Sequence, residues 1–250
     1  MRNVYLTSLG CKLNQAETDA LGQRVVYRYD GEGDLLSETD AGGATTSYLR
    51  DACGRTVEIV DRLGRVTSYG YDALGNRIWQ LDAQGARTSF AYDALRRRVR
   101  ETDPLGGESS VVYDPVGNVI AETDRTGATT RYAYDALGRL TETIDPMGGV
   151  RTMQYDAVGN MVLETNPEGF STTYEYDALG RRTAVVNPLG GRVQRRYDEV
   201  GNLLQEIDAN GNATQYRYDA LGQRTHLVYP TGEVVAYTHD AAGWLRTVTD

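Results

Sequence analysis

Large apolar anchors are scarce in this chain: two Trp, two Phe and four Met stand among 250 residues. A single compact core would need more of them, so the composition does not specify an ordinary globular domain. Only Cys11 and Cys53 carry thiols, which excludes a disulfide framework and leaves two free cysteines as the expectation. No apolar run approaches the roughly eighteen residues a membrane helix needs. Met1 to Gln15 also lacks the uncharged apolar stretch of a secretory signal, so export would rely on a dedicated machine or an upstream segment. A net charge of −9 and a pI near 4.9 leave no basic stripe for phosphates, which excludes nucleic acid as the main partner.

What the chain does have is a repeat. An aspartate returns every twenty-one residues, from Asp30, Asp51 and Asp72 through to Asp219 and Asp240. A second series with the same beat runs between them, from Asp19, Asp40 and Asp61 to Asp208, with Asn166 and Asn187 as substitutes and Tyr229 as its one break. Three residues after nearly every one of these positions stands a glycine; Arg96 is the lapse. An Asp or Asn opening a turn accepts hydrogen bonds from amides just ahead of it, and a glycine three positions on supplies the left-handed backbone that closes a hairpin. All six prolines, Pro104, Pro115, Pro146, Pro167, Pro188 and Pro230, directly follow the first turn residue, where their fixed φ is the turn's own.

Between corners remain six or seven residues, about 20 Å of strand and too little for a helix. Sixteen of the eighteen tyrosines fall in two columns, one immediately before the first-series Asp (Tyr29, Tyr71, Tyr92 and onward) and one two residues earlier (Tyr27, Tyr48, Tyr69 and onward). Two residues apart on a strand means one face, so stacked hairpins would carry ladders of like rings. A side chain that recurs in every module reads as scaffold, not as a platform for ligands.

Chemistry is hard to place. Each corner usually offers one carboxylate, whereas calcium loops gather several in one turn. Gly31-Glu32-Gly33 is too slight for a phosphate loop. His226 and His239 are the only histidines, and His239 occupies a tyrosine position beside Asp240 with no motif fixing a nucleophile near it. Cys53 lies in the corner Asp51-Ala52-Cys53-Gly54 and reads as an exposed substitution. The arginine clusters Arg96 to Arg100 and Arg192, Arg195 and Arg196 read as solvated strand faces, flanked by acidic residues. No catalytic, cofactor-binding or metal-binding residue is assigned.

The strings Tyr134-Asp135-Ala136-Leu137-Gly138-Arg139-Leu140 and Tyr176-Asp177-Ala178-Leu179-Gly180-Arg181-Arg182, followed by Asp145-Pro146-Met147-Gly148 and Asn187-Pro188-Leu189-Gly190, resemble the Rhs/YD-repeat family over residues 18–250. That resemblance implies a spiral of β-hairpins building a large cocoon, as in bacterial polymorphic toxins, the shell subunits of insecticidal toxin complexes and teneurin ectodomains. In bacterial members the cocoon encloses a C-terminal toxin. Val248-Thr249-Asp250 falls in mid-repeat, short of the aspartate-containing autoproteolysis motif of toxin-releasing members, so no self-cleavage site is assigned. The stretch Val4 to Leu21 instead resembles the amino terminus of the tRNA methylthiotransferase family, a strand, a Gly10-Cys11 turn and the start of a helix. The cysteine at position 11 would there help hold an iron–sulfur cluster, but the remaining cluster cysteines are missing and one thiolate cannot hold it.

The sequence therefore predicts an all-β fold of tandem twenty-one-residue antiparallel hairpins, a spiralling ribbon or partial shell. Residues 1–17 form a non-repeat segment without a function of its own, and residues 18–250 the array. The expected role is a non-enzymatic shell segment of a secreted or surface-delivered Rhs-type protein. It needs no cofactor, and its partners are the rest of the polypeptide or an enclosed toxin. The alternative is an adhesin-like surface module for glycans or a protein partner; a methylthiotransferase ranks last. Uncapped end modules would leave open strand edges, through which self-association is expected.

Overall fold

The computed structural model describes Tyr5–Thr7, Asn14–Thr18 and residues 24–249, with side chains from residue 25 onward. Among the described residues twenty-four strands, β1 to β24 in chain order, follow one another and there is no helix. From β3 (Arg24–Tyr29) and β4 (Leu35–Thr39) onward, strands of six and five residues alternate. They are slightly shorter than the six or seven predicted, because the residue after each corner glycine is spent on closing the turn. The strand runs are rich in Thr, Val and Tyr, side chains that favour a pleated surface.

The chain divides into two units, Met1–Thr129 and Thr130–Asp250. In the first, every strand from β1 (Tyr5–Thr7) to β12 (Val119–Thr123) pairs antiparallel with its sequence neighbours. In the second, the same holds from β13 (Thr129–Tyr134) to β24 (Leu245–Thr249). The front of the chain departs from one expectation. β2 (Asn14–Thr18) is a strand paired with β3, so the helix start implied by the methylthiotransferase resemblance does not form there. Cys11, Asp19 and Gly22 lie outside the described residues.

An odd repeat length poses a problem that the register solves. Side chains alternate faces along a strand, so a period of twenty-one would turn the tyrosines over in each successive module. Across the first-series hairpin β3–β4, Arg28 faces Ser37 while Tyr29 faces Leu35, which leaves Leu36 without a cross-strand partner. That one-residue bulge restores the parity, and it recurs in the other first-series hairpins of both units. Hairpins on the second-series corners, such as β14 (Leu140–Ile144) with β15 (Val150–Tyr155), keep an unbroken register.

The tyrosine columns therefore share one face, as predicted. On β17 (Ser171–Tyr176), Thr172, Tyr174 and Tyr176 are half-buried while Ser171, Thr173 and Glu175 on the opposite face are exposed. Burial stops at that level. Among the described residues only Met153 and Ala184 are buried apolar side chains, and no polar one is buried. Cohesion comes from ladders, corners and half-covered rings, not from a packed interior. One glycine outside the corners has a packing reason: Gly70 sits opposite Trp79, and a Cβ there would overlap the indole.

Candidate functional site

The repeated chemistry of the chain lies at its corners and at the open ends of its hairpins. At Asp135 the N–H of Gly138 donates to the Asp135 carbonyl at 3.0 Å, and the Asp135 N–H donates to the Arg139 carbonyl at 3.0 Å. Asp135 Oδ1 accepts from the N–H of Leu137 at 2.9 Å and of Arg139 at 3.0 Å, and Gly138 takes a φ of 76°. This is a type I turn closed by a left-handed glycine, as the D-x-x-G spacing predicts. The two lapses in the pattern still make corners. Arg96 adopts a φ of 62° in the glycine's place. At Tyr229, Gly232 N–H donates to the Tyr229 carbonyl at 2.9 Å, and Thr231 Oγ1 takes the acceptor role of the missing carboxylate toward Glu233 N–H at 3.5 Å.

The second carboxylate oxygen distinguishes two kinds of corner. Asp135 Oδ2 accepts from Arg139 Nε at 2.7 Å, and Arg139 Nη1 reaches on to the carbonyl of Asp156, the next first-series corner, at 3.0 Å. Its guanidinium lies 4.8 Å from the centre of the Tyr155 ring. Arg55, Arg97 and Arg181 repeat the arrangement, each bonded to its own aspartate, to the next corner's carbonyl, and over Tyr71, Tyr113 and Tyr197 respectively. The intervening corners carry asparagine. Asn160 Nδ2 donates to Asp156 Oδ2 at 2.9 Å, and Asn76, Asn118 and Asn202 do likewise with their own aspartates. From Asp51 to Asp198 an arginine clamp thus occupies every second first-series corner, and Gln223 stands where the next one would fall.

The tyrosines just before the corners close the open ends of the second-series hairpins. The β14–β15 register runs from Ile144 with Val150 to Glu142 with Thr152. Beyond it, Tyr155 Oη donates to the Leu140 carbonyl at 2.7 Å. Tyr71, Tyr92, Tyr113, Tyr176 and Tyr197 make the same bond to the carbonyl fifteen residues earlier. Arg50, in a tyrosine's place, donates to the Leu35 carbonyl through Nε and Nη2 at 3.4 Å. In the other column, Tyr48 Oη donates to Glu38 at 3.4 Å and Tyr174 Oη to Glu164 at 3.1 Å. Burial first, and the neighbouring glutamate second, push both hydroxyls above the usual tyrosine range.

Several corner carboxylates, Asp51, Asp72 and Asp135 among them, are held below their ordinary range. For Asp51 the leading cause is the Arg55 side chain, for Asp135 the Arg139 backbone N–H, and for Asp72 the Asn76 side chain. Their lone pairs are committed to amides and guanidinium groups. Asp30, Glu32 and Asp34 bring carboxylate oxygens within 4.8 Å of one another, with Asp30 Oδ1 already accepting from both neighbours' amides. Cys53 is a free, exposed thiol. His226 Nδ1 lies 3.1 Å from Thr225 Oγ1, and His239 pairs across the ladder with Leu245.

One reading of the arginine clusters is corrected by these contacts. Arg97 is not a solvated strand face but a corner clamp, ion-paired with Asp93 at 2.7 Å and 4.4 Å from the Tyr113 ring centre. Arg192 pairs with Glu175 at 2.6 Å and Arg195 with Glu206 at 2.7 Å. The signal that would have found the clamp was present in the sequence, as Arg and Asn alternating directly after the corner glycine.

Comparisons with known proteins agree with this geometry. A family model described as RHS Repeat matches residues 15–46, 29–61, 50–78, 80–108, 113–150, 136–170, 155–192 and 197–234. Among solved structures, the crystal structure of TcdB2-TccC3 is 14% identical with a TM-score of 0.60, covering 99% of this chain and 16% of that one. A Tc holotoxin pore of Photorhabdus luminescens, with a TccC3 mutation, is 15% identical with a TM-score of 0.48, covering 96% and 18%. The chain therefore spans less than a fifth of the length of either. No curated protein sequence matches it. Since the family match extends over more than half of its residues, the chain belongs to the RHS repeat family.

Proposed function

We propose that this chain is a wall segment of a secreted or surface-delivered Rhs-type protein, with enclosure as its mechanism and no catalytic step of its own. The observation that carries this reading is regularity: aspartates, arginines and tyrosines are spent, module after module, on bonds within and between hairpins. Binding sites need irregular groups with unspent bonding capacity, and walls need the opposite. Residues 18–250 are the working array in this reading, and residues 1–17 add no activity. The partners are the remainder of the longer polypeptide and a toxin cargo shielded by the wall, as the resemblance to the toxin-complex protein TcdB2-TccC3 invites. Neither a cofactor nor a metal is required.

The test is protease protection of the complete gene product that contains these residues. Cargo resistant to trypsin until the repeat region is opened by denaturant is the expected result. Cargo cleaved as fast within the intact product as alone would overturn the reading and favour the adhesin alternative, which in turn requires saturable binding of this chain to a glycan or protein surface.

A further inference from the structure

One stretch of the unit Thr130–Asp250 departs from the economy of spent side chains. It lies on the sheet face opposite the tyrosines, from β17 across β18 (Arg182–Val186) and β19 (Arg192–Tyr197) to β20 (Leu203–Ile207). The ladder pairs Glu175 with Ala184, Ala184 with Gln194, Gln194 with Ile207 and Arg196 with Gln205. Directly paired residues share a face, so these side chains leave the sheet together, on the side away from Tyr174, Tyr176 and Tyr197. Glu175, Arg192, Gln194, Arg196, Gln205 and Ile207 line a cleft there of about 230 Å³.

The polar groups of the cleft divide into committed and free. Arg192 Nη1 and Nη2 donate to the two Glu175 oxygens at 2.6 and 2.7 Å, a fork that crosses β18 on the face where Ala184 is buried. Arg196 is exposed and, among the described residues, has no carboxylate, carbonyl or ring partner. The side-chain amides of Gln194 and Gln205 likewise make no hydrogen bond with the described residues, whereas the corner amides of Asn160 and Asn202 are committed to their own aspartates. At the strand position of Gln194 the unit Met1–Thr129 carries Ser47, Ser68, Ser89 and Ser110, which have neither the reach nor the amide.

The free groups select a ligand. Arg192 and Glu175 neutralise each other, so one uncompensated charge remains, on Arg196, whose planar fork matches a carboxylate. A phosphate ester brings close to two negative charges and would leave one of them facing Glu175 without a partner. An amino acid fits poorly too, because both Glu175 oxygens are engaged and its ammonium would find no acceptor there. Each free amide offers donors and an acceptor, the complement of hydroxyl groups, and an acid without hydroxyls would cover those amides unpaired. Ile207 adds an apolar patch for the C–H face of a ring, and a volume below the ~300 Å³ where drug-sized sites begin suits a single ring.

We infer that this cleft binds a sugar carrying one carboxylate, a uronic acid, with Arg196 on the carboxylate and Gln194 and Gln205 on its hydroxyls. This goes beyond the wall reading. It neither needs nor excludes a cargo, so its failure would leave the protease-protection result untouched.

The test is ligand-observed saturation-transfer NMR on the full chain, titrated with D-galacturonate and D-glucuronate at low salt. Saturable binding of at least one of them, with a Kd in the millimolar range, is expected. Arg196→Gln should weaken it about tenfold or more, and Gln194→Ala with Gln205→Ala severalfold, without change in the far-ultraviolet spectrum because the removed groups hold nothing in the fold. Arg217→Gln is the control: it removes an exposed, unpartnered arginine from the same strand position one module on, in β21 (Ala213–Tyr218), and should leave binding unchanged. D-Glucose, which lacks the carboxylate, and acetate, which lacks the hydroxyls, should each bind at least tenfold more weakly than the uronate. No saturable binding of either uronate up to about 20 mM would overturn the inference. So would equal losses from Arg196→Gln and Arg217→Gln, or glucose 6-phosphate binding as tightly as the uronate.

Discussion

The corner at Asp135 and the corner at Asp156 make the same kind of turn and differ in what their carboxylates hold. Both turn on an aspartate whose Oδ1 collects amides two and four residues ahead, and both close on a left-handed glycine, with φ of 76° at Gly138 and 105° at Gly159. At Asp156 the carboxylate also accepts from the glycine N–H at 2.8 Å, and Asn160 folds back on it. At Asp135, Arg139 uses the same carboxylate as a brace and reaches forward to the next corner. The residue after the glycine therefore decides whether a corner only turns the chain or also ties two modules together. The turn repeats in every module, and the bonding between corners repeats in every second one from Asp51 to Asp198.

The comparison can be broken most severely at the glycines. Gly138→Val and Gly159→Val should each destabilise by about 1–2 kcal/mol or more, because an L residue is strained at positive φ. Gly159 should cost more, since its φ lies outside the left-handed region that other residues reach. Equal denaturant midpoints for variants and parent would mean the corners are not these turns.

Next in size, Arg139→Gln removes an ion pair, a bond to the Asp156 carbonyl and the cover over Tyr155, and should cost about 1 kcal/mol. Asn160→Ala removes a bond internal to one corner and should cost about half of that. Asn160→Arg sharpens the contrast by offering a new clamp toward the following corner, with an expected gain of a few tenths of a kcal/mol. Thermal melting of the three variants side by side reads the order; a larger loss at Asn160 than at Arg139 would reverse the account.

An effect between those of Arg139→Gln and Asn160→Ala is expected from Tyr155→Phe, which deletes the hydroxyl bond to the Leu140 carbonyl for about 0.5–1 kcal/mol. The smallest effect per residue is the pH dependence of the corners. Because Asp51, Asp72 and Asp135 are held below the usual carboxylate range, their contribution is present above about pH 4 and is lost as acid protonates them. Tyr48 and Tyr174 work in the opposite direction: raised hydroxyls contribute below about pH 10 and lose that contribution as pH climbs through their folded values. A stability profile flat from pH 7 to pH 3 would remove the corner carboxylates from the account.

Much of this was legible in the sequence because turn chemistry is local. Asp135 and Gly138 announce a corner whatever surrounds them, and Tyr174 with Tyr176 announce one face by spacing alone. Three features escaped for the opposite reason. The bulge opposite Arg28 follows from the odd period, but which strand absorbs the extra residue depends on pairing. The Arg139 clamp needs Asp156 and Tyr155 brought beside it by the hairpin between. The strand at Asn14–Thr18 overrides a front-end resemblance because β3 offers it a partner.

Amide hydrogen exchange resolved at the corners tests the central claim most directly. The account predicts protection at Asp135, Leu137, Gly138 and Arg139, whose N–H groups are bonded, fast exchange at Ala136, and recurrence of this pattern at successive corners. Corner amides that all exchange as fast as unstructured chain, or protection concentrated in one compact stretch and absent from the repeated corners, would contradict it.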